Sequence, residues 1–131
     1  MTFDAIGIAG SALTVHRKWL DAISDNIANV NTASSTNGAA FQERYVIARA
    51  NTTDGGVTVA GTALGNAESR LAYDPENPLA DANGYVTHPV VDLSTEMTNM
   101  MLSSRLYQAN LSVMSQAQQS YQAALEIGKR S

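Results

Sequence analysis

Apolar residues recur with a three–four alternation at both ends of the chain and not in its middle. Near the N-terminus, Ile6, Leu13, Leu20 and Ile27 are spaced by seven, and Ala9, His16, Ile23 and Val30 follow each by three. This is the heptad of a helix with one apolar stripe, and its single polar member is His16. The pattern predicts a helix that starts near Thr2 or Asp4 and stops near Asn29 to Asn31, because asparagine tolerates the left-handed conformation that ends helices. Near the C-terminus, Leu93, Met97, Met100, Ser104, Tyr107, Leu111, Met114, Gln118, Tyr121 and Leu125 alternate by four and three. Asp92 or Ser94 is the expected cap and Gly128 the expected end. At about 1.5 Å per residue this helix is a rod of roughly 50 Å, longer than the ~36 Å diameter of a compact globule of this size.

Glycine and proline mark the contrast. Neither occurs between Ser11 and Asn37 or between Val90 and Ile127, and all three prolines, Pro75, Pro78 and Pro89, lie in the middle. Helix interiors exclude both residues. The segment from Phe41 to Val91 reads instead as β. Tyr45–Ala48, Val57–Ala60 and Glu68–Tyr73 are strand candidates, and Asp54-Gly55-Gly56 has hairpin chemistry. Asp74-Pro75 is expected to open an irregular loop that runs to Pro89. The predicted fold is mainly α with a small β insert. Its long N- and C-terminal helices pair as an antiparallel coiled coil, and its middle forms short β-strands and loops. The organisation expected is an N-terminal helix over 1–33, an insert over 34–89 and a C-terminal helix over 90–131.

Composition sharpens this picture. Charged residues are 15% of the 131-residue chain, against about 25% in ordinary soluble domains. The helix flanks are Ala, Ser, Gln, Asn and Thr, where an isolated coiled coil carries charged residues. Uncharged flanks suit burial against neighbouring helices. There is no cysteine, so disulfides and thiolate metal sites are excluded. A net charge of −4 without Lys/Arg clusters argues against nucleic acid. No stretch is apolar enough to span a membrane, and the first residues lack the basic region of a cleavable leader.

Candidate chemistry is sparse. His16 and His88 have no metal-ligand spacing, and no nucleophile elbow or phosphate loop occurs. Asp81-Ala82-Asn83-Gly84 has a faint likeness to a calcium loop but lacks its closing glutamate. Asp74 and Asp81 fit turn-forming roles better. The methionines at helical spacing read as core or interface filling. No enzyme, cofactor or metal is expected.

Several segments nonetheless resemble a known family. Ser24-Asp25-Asn26-Ile27-Ala28-Asn29-Val30-Asn31-Thr32, preceded by Gly10-Ser11-Ala12-Leu13, is similar to the N-terminal signature of bacterial flagellar axial proteins of the rod and hook. The run from Leu71 to Val86, with Tyr73, Asp74, Pro75, Pro78, Asp81, Asn83, Gly84 and Tyr85, narrows the resemblance to the proximal rod. Glu96-Met97 and Ser104 to Asn110 look like the shared C-terminal motif. The resemblance covers nearly the whole chain in order, although Asn77-Pro78 stands where His-Pro is common.

The resemblance implies a structural subunit of the flagellar basal-body rod that transmits torque and forms the wall of the export channel. Such proteins pass through the flagellar type III system without a cleaved leader and assemble in the periplasm. Expected partners are other rod subunits, copies of itself, and export-apparatus and basal-body components. The seam and assembly residues expected are Ile6, Leu13, Leu20, Ile23, Asn26, Ile27, Asn29 and Val30, with Leu93, Met97, Met100, Tyr107, Leu111, Met114, Tyr121 and Leu125. Asn26 and Asn29 share a helix face. Asn26 is expected to fix register between subunits as buried asparagine does in coiled coils, and Asn29 and Asn31 either share that role or simply end the helix. The terminal helices of the isolated chain are expected to be partly disordered, since their second faces lack partners. The alternatives are another rod or hook-like axial protein, or a soluble coiled-coil adaptor, which would need charged flanks. An enzyme would need a polar cluster in a cleft.

Overall fold

A computed structural model describes residues 2–130. Two long helices flank four short strands: α1 Thr2–Asn29, β1 Arg44–Ala50, β2 Val57–Leu64, β3 Ser69–Tyr73, β4 Tyr85–Pro89 and α2 Leu93–Arg130. About half of the chain is helical, as the apolar periodicity predicts. No helix among the described residues is long and apolar enough to cross a membrane.

The helix ends follow local chemistry. At the end of α1, the Asn29 Nδ2 donates to the Asp25 carbonyl at 2.8 Å and its Oδ1 accepts from the Thr32 hydroxyl at 3.0 Å. Asp92 caps α2. Its Oδ1 accepts from the Ser94 and Thr95 amides at 2.9 and 3.3 Å, and its Oδ2 accepts from the Thr95 hydroxyl at 2.9 Å. The carboxylate oxygen thereby satisfies amides that the first helical turn leaves unpaired. Gly128, expected to end α2, lies inside it, and the helix continues to Arg130. A glycine stops a helix by taking the left-handed conformation, and Gly128 does not take it. The 38 residues of α2 make a rod of about 57 Å at ~1.5 Å per residue.

The chain divides into two compact units. One comprises Met1–Leu20, Val46–Gly61 and Met101–Ser131. Here the loop between β1 and β2 folds onto α1. The Asn51 amide donates to the Gly56 carbonyl at 3.0 Å to close the hairpin, and Gly55 and Gly56 take φ of 74° and 80°. A side chain at Gly56 would place its Cβ 2.3 Å from the Ser11 Oγ. That hydroxyl donates to the Ile8 carbonyl and accepts from the Val57 amide at 3.1 Å. Glycine therefore meets both a backbone and a contact requirement at this position. In the same unit the Ser103 hydroxyl, fully buried, donates to the His16 carbonyl at 3.3 Å.

The other unit comprises Asp21–Tyr45 and Thr62–Met100. Its strands β3 and β4 pair antiparallel from Ser69 opposite Pro89 to Tyr73 opposite Tyr85. The region to Pro89, expected to be an irregular loop throughout, therefore contains a strand. Tyr85-Val86-Thr87 has aromatic and β-branched character, and Pro89 sits at the strand's last position, where a missing amide costs little. Ser34 bridges to Thr87 through reciprocal backbone bonds of 2.8 and 2.9 Å. Val86 and Ile23 are buried here, with Ala22.

The capping carboxylate makes α2 sensitive to acid. Its hydrogen bonds hold the Asp92 carboxyl below the usual carboxylate range, the Thr95 hydroxyl first, then the Thr95 and Ser94 amides. A depressed folded pKa gives stability that is present above the unfolded value of about 3.9 and is lost as pH falls through the folded one. Thermal melts followed by circular dichroism should show Asp92→Asn, which keeps an acceptor, flattening the acid limb. Asp92→Ala should lower the melting temperature at neutral pH as well. An acid limb unchanged in Asp92→Asn would assign it to other carboxylates.

Candidate assembly surfaces

Asn26 is a buried polar side chain of the Asp21–Tyr45 and Thr62–Met100 unit. It is 1% exposed. Its Oδ1 accepts from the Arg44 amide at 2.8 Å, and its Nδ2 donates to the Arg44 carbonyl at 3.1 Å and to the Glu96 Oε2 at 2.8 Å. The amide thus pairs with the first residue of β1 as a neighbouring strand would, and it ties the end of α1 to the first turn of α2. Glu96 is 3% exposed, and its Oε1 accepts from the Asn99 Nδ2 at 3.4 Å. Within the chain, both amide hydrogens and the carbonyl oxygen of Asn26 are engaged.

The rim of this node is charged. Arg44 bonds to Asp25 at 2.8 Å with both side chains about half exposed, and its guanidinium lies 5.7 Å from the centre of the Phe41 ring. An exposed pair of this kind contributes about 0–1 kcal/mol. The Tyr45 hydroxyl donates to the Glu43 carboxylate. That bond, with burial and the negative charges of Glu43 and Glu96, pushes the phenol pKa up to about 12.

The segment from Tyr73 to Tyr85 is a self-bonded turn. The Asp74 amide donates to the Gly84 carbonyl at 2.9 Å, and the Asn77 Nδ2 donates to the Asp74 Oδ2 at 3.0 Å. The Asp81 Oδ1 accepts from the Asn83 and Tyr85 amides at 2.8 and 3.0 Å. The Tyr85 amide leads the donors that hold the Asp81 carboxyl below its ordinary range, with the Asn83 and Gly84 amides and the Thr36 hydroxyl adding to it. Gly84 has a φ of 81°, and a Cβ there would lie 2.9 Å from the Tyr73 ring and 3.1 Å from the Pro75 Cβ. The Tyr73 and Tyr85 rings meet edge to face at 5.3 Å. Pro78 is exposed beside this turn. The motif residues therefore build a rigid hairpin end that shows Leu71, Tyr73 and Tyr85 to solvent.

The predicted helix faces divide. On α1, Ile23 and Asn26 are buried, while Ile6, Leu13, Leu20, Ile27 and Asn29, with Val30 just past its end, are half-buried. On α2, Met100, Tyr107, Met114 and Tyr121 are half-buried, whereas Leu93, Met97, Leu111 and Leu125 are exposed, Met97 to 54%. The companions of the half-buried row are Glu96, Ser103, Asn110 and Ala117, each one residue before a position in the predicted row. Reading large apolar residues missed them, because none of the four is a large apolar residue. Their own seven-residue spacing is the signal that could have found them. His16 and Trp19, with ring centres 6.1 Å apart, line an apolar groove of about 300 Å³ with Val15, Val46 and Ala48, and the His16 Nδ1 is buried without a hydrogen-bond partner among the described residues.

Two family models match the ends of the chain. The one described as flagella basal body rod protein matches residues 6–33, and the one described as flagellar basal body rod FlgEFG protein C-terminal matches residues 82–127. With two long terminal helices around a small β insert, these matches define the class as flagellar rod proteins. Among curated relatives, the flagellar basal-body rod protein FlgC of Salmonella typhimurium is 39% identical over 126 residues, covering 93% of this chain and 94% of the relative. FlgC of Bacillus subtilis is 31% identical, covering 97% and 98%, and FlgC of Borreliella burgdorferi is 32% identical, covering 95% and 96%. The chain belongs to the FlgC family of flagellar basal-body rod proteins.

Truncating Asn26 should test the node. Asn26→Ala removes the partner of the part-buried Arg44 amide and one of the two amide donors to the buried Glu96 carboxylate, at about 1–3 kcal/mol for a buried group left unsatisfied. Urea unfolding should show a loss of that order, and Asn29→Ala, at the exposed helix end, a smaller one. Equal losses would deny Asn26 its special place.

Proposed function

We infer that the chain is a structural subunit of the proximal rod of the flagellar basal body. The observation that carries this reading is the match to FlgC relatives along almost the whole length of both chains. The surface suits such a role. No charged residue occurs from Leu106 to Leu125, and Leu106, Leu111, Val113 and Leu125 are exposed on α2. Large apolar side chains in such number on one helix favour burial by other helices.

In this reading the terminal helices pack as an antiparallel coiled coil within the rod, and the 34–89 insert bears on neighbouring subunits. The partners are other rod subunits, copies of the same chain, and export-apparatus and basal-body components. The subunit reaches the periplasm through the flagellar type III channel, forms part of that channel's wall once assembled, and transmits torque. It performs no catalysis, takes no cofactor and binds no nucleic acid. The exposed Leu71, Tyr73 and Tyr85 of the hairpin end and the exposed Leu93, Met97, Leu111 and Leu125 of α2 supply the assembly contacts.

Deletion of the gene in its own host tests this reading. The deletion strain should lose motility and filament growth while retaining the membrane-embedded export gate, and a plasmid copy should restore both. Basal bodies purified from the complemented strain should contain the chain in the rod. Motility unchanged by the deletion, or basal bodies without the chain, would contradict it.

A further inference from the structure

The sheet of β3 and β4 is closed along one edge and open along the other. Thr87 turns its backbone away from β3, its N–H donating to the Ser34 carbonyl at 2.9 Å and its C=O accepting from the Ser34 amide at 2.8 Å. Tyr85 does likewise, its N–H donating to the Asp81 Oδ1 at 3.0 Å and its C=O accepting from the Asp81 amide at 2.9 Å. Pro89 has no N–H to offer. Residues directly opposite one another in an antiparallel pair turn their backbone groups alike, both toward the partner strand or both away. Leu71 and Tyr73, opposite Thr87 and Tyr85, therefore turn theirs away from β4, and so does Ser69, opposite Pro89. No backbone bond beyond the ladder uses these three residues among those described.

An open edge is ordinarily blunted by proline, lysine or a bulge. Strand β3 reads Ser69-Arg70-Leu71-Ala72-Tyr73 in unbroken register and has none of them. Its one charged residue, Arg70, reaches the Asn31 Oδ1 at 3.4 Å. Leu71 and Tyr73 share a face, are 66% and 67% exposed, and stand beside the exposed Tyr85. Acids flank the strand. Glu68 precedes it and Glu76 follows it, both exposed and neither in an ion pair among the described residues.

We propose that the open edge of β3 takes up an extended segment of a different polypeptide as a third strand, one with apolar side chains at alternate positions and a basic residue at each end. The N–H and C=O groups of Ser69, Leu71 and Tyr73 recognise an extended backbone, and the side chains around them choose its sequence. Alternate residues of the added strand fall on the face of Leu71 and Tyr73, where cross-strand neighbours come within about 5 Å, so these residues are apolar. Lysine or arginine at its ends meets Glu68 and Glu76. A second copy of the chain does not fit. Two β3 strands paired antiparallel about Leu71 would set Glu68 opposite Asp74, and paired in parallel in register they would set Glu68 beside Glu68. Like charges directly opposite destabilise a strand pair. The proposal rests on the reading of the hairpin end as an assembly surface, and adds to it how the partner is held and what its sequence carries.

A capped peptide of alternating valine and threonine with a lysine at each end is the probe. Titrated into the isotope-labelled chain and followed by NMR, it should shift the amide signals of Ser69, Leu71 and Tyr73 and slow their hydrogen exchange. The amides of Arg70 and Ala72, which face β4, should keep the exchange rates they have. Two N-methylated forms of the peptide, each blocking every second amide, should differ, one losing binding and the other keeping it. Leu71→Pro removes an outward N–H, leaves the ladder to β4 in place, and should weaken binding by about tenfold. Tyr73→Ser keeps every backbone group, removes an apolar side chain, and should also weaken binding. Circular dichroism should show both variants folded, and Tyr73→Ser carries the test if Leu71→Pro is not. Glu68→Lys with Glu76→Lys should reverse the preference, so that a peptide ending in glutamates binds about tenfold better than the lysine probe. Amides of Ser69, Leu71 and Tyr73 that do not respond, equal binding by the two methylated forms, or a preference that the charge swap leaves unaltered would overturn the proposal. So would shifts of these amides that grow with chain concentration in the absence of peptide, since a second copy would then hold the edge. Purified basal bodies keep the two readings apart. If they contain the chain while the peptide leaves β3 untouched, the third-strand proposal fails and the rod assignment stands. If they lack the chain while the peptide binds, the rod assignment fails and the open edge stands.

Discussion

The buried amide of Asn26 holds together three parts of the chain that are far apart in sequence. It bonds to both backbone groups of Arg44 and to the carboxylate of Glu96. Helix α1, the entry to β1 and the first turn of α2 thus meet at one side chain. The apolar core around it is modest, with Ile23 and Ala22 on α1 and Val86 on β4. A few alkyl groups give burial but little uniqueness. A fully satisfied amide in a low-dielectric setting gives a geometry that alternatives cannot match, since any shift leaves a donor or acceptor unpaired. Aspartate at this position would bring a second negative charge to Glu96 and lose both donors. Glutamine would carry the amide one methylene too far.

The strong periodicities were legible. The Asn29 end and the Asp92 cap both follow from side-chain chemistry close to the residue concerned. The seam of α2 was half legible. Met100, Tyr107, Met114 and Tyr121 stand out as large apolar residues, but Glu96, Ser103, Asn110 and Ala117 beside them are recognisable only by spacing. Strand β4 was hidden by the proline and glycine density around it, although Tyr85-Val86-Thr87 carries strand chemistry. Gly128 misled because glycine permits a helix end without requiring one. Asn26 was picked out as a register residue because it shares a helix face with Asn29, but that spacing does not say which surface it meets. Only the fold brings Arg44 and Glu96 to it.

The same distribution explains the division between what is held inside the chain and what is turned outward. Polar side chains with few rotatable bonds sit at the internal junctions: Ser11 under the β1–β2 loop, Ser103 against the His16 carbonyl, and Asn26 at its node. Several large apolar side chains of α2, Leu93, Met97, Leu111 and Leu125 among them, are turned to solvent instead. A chain that lived as an isolated globule would place them the other way round. Membership of the FlgC family implies assembly with other rod components, and an exposed apolar surface suits such assembly.

Amide hydrogen exchange, compared between the free chain and basal bodies containing it, tests this account most directly. The Arg44 amide and the first turn of α2 should be protected in both states, because Asn26 and Asp92 hold them within the chain. The amides from Leu106 to Leu125 should exchange rapidly in the free chain and slowly in the rod. Equal protection of that stretch in the two states would mean that α2 is already complete on its own, and would contradict the view that its uncharged surface is built to be covered by neighbours.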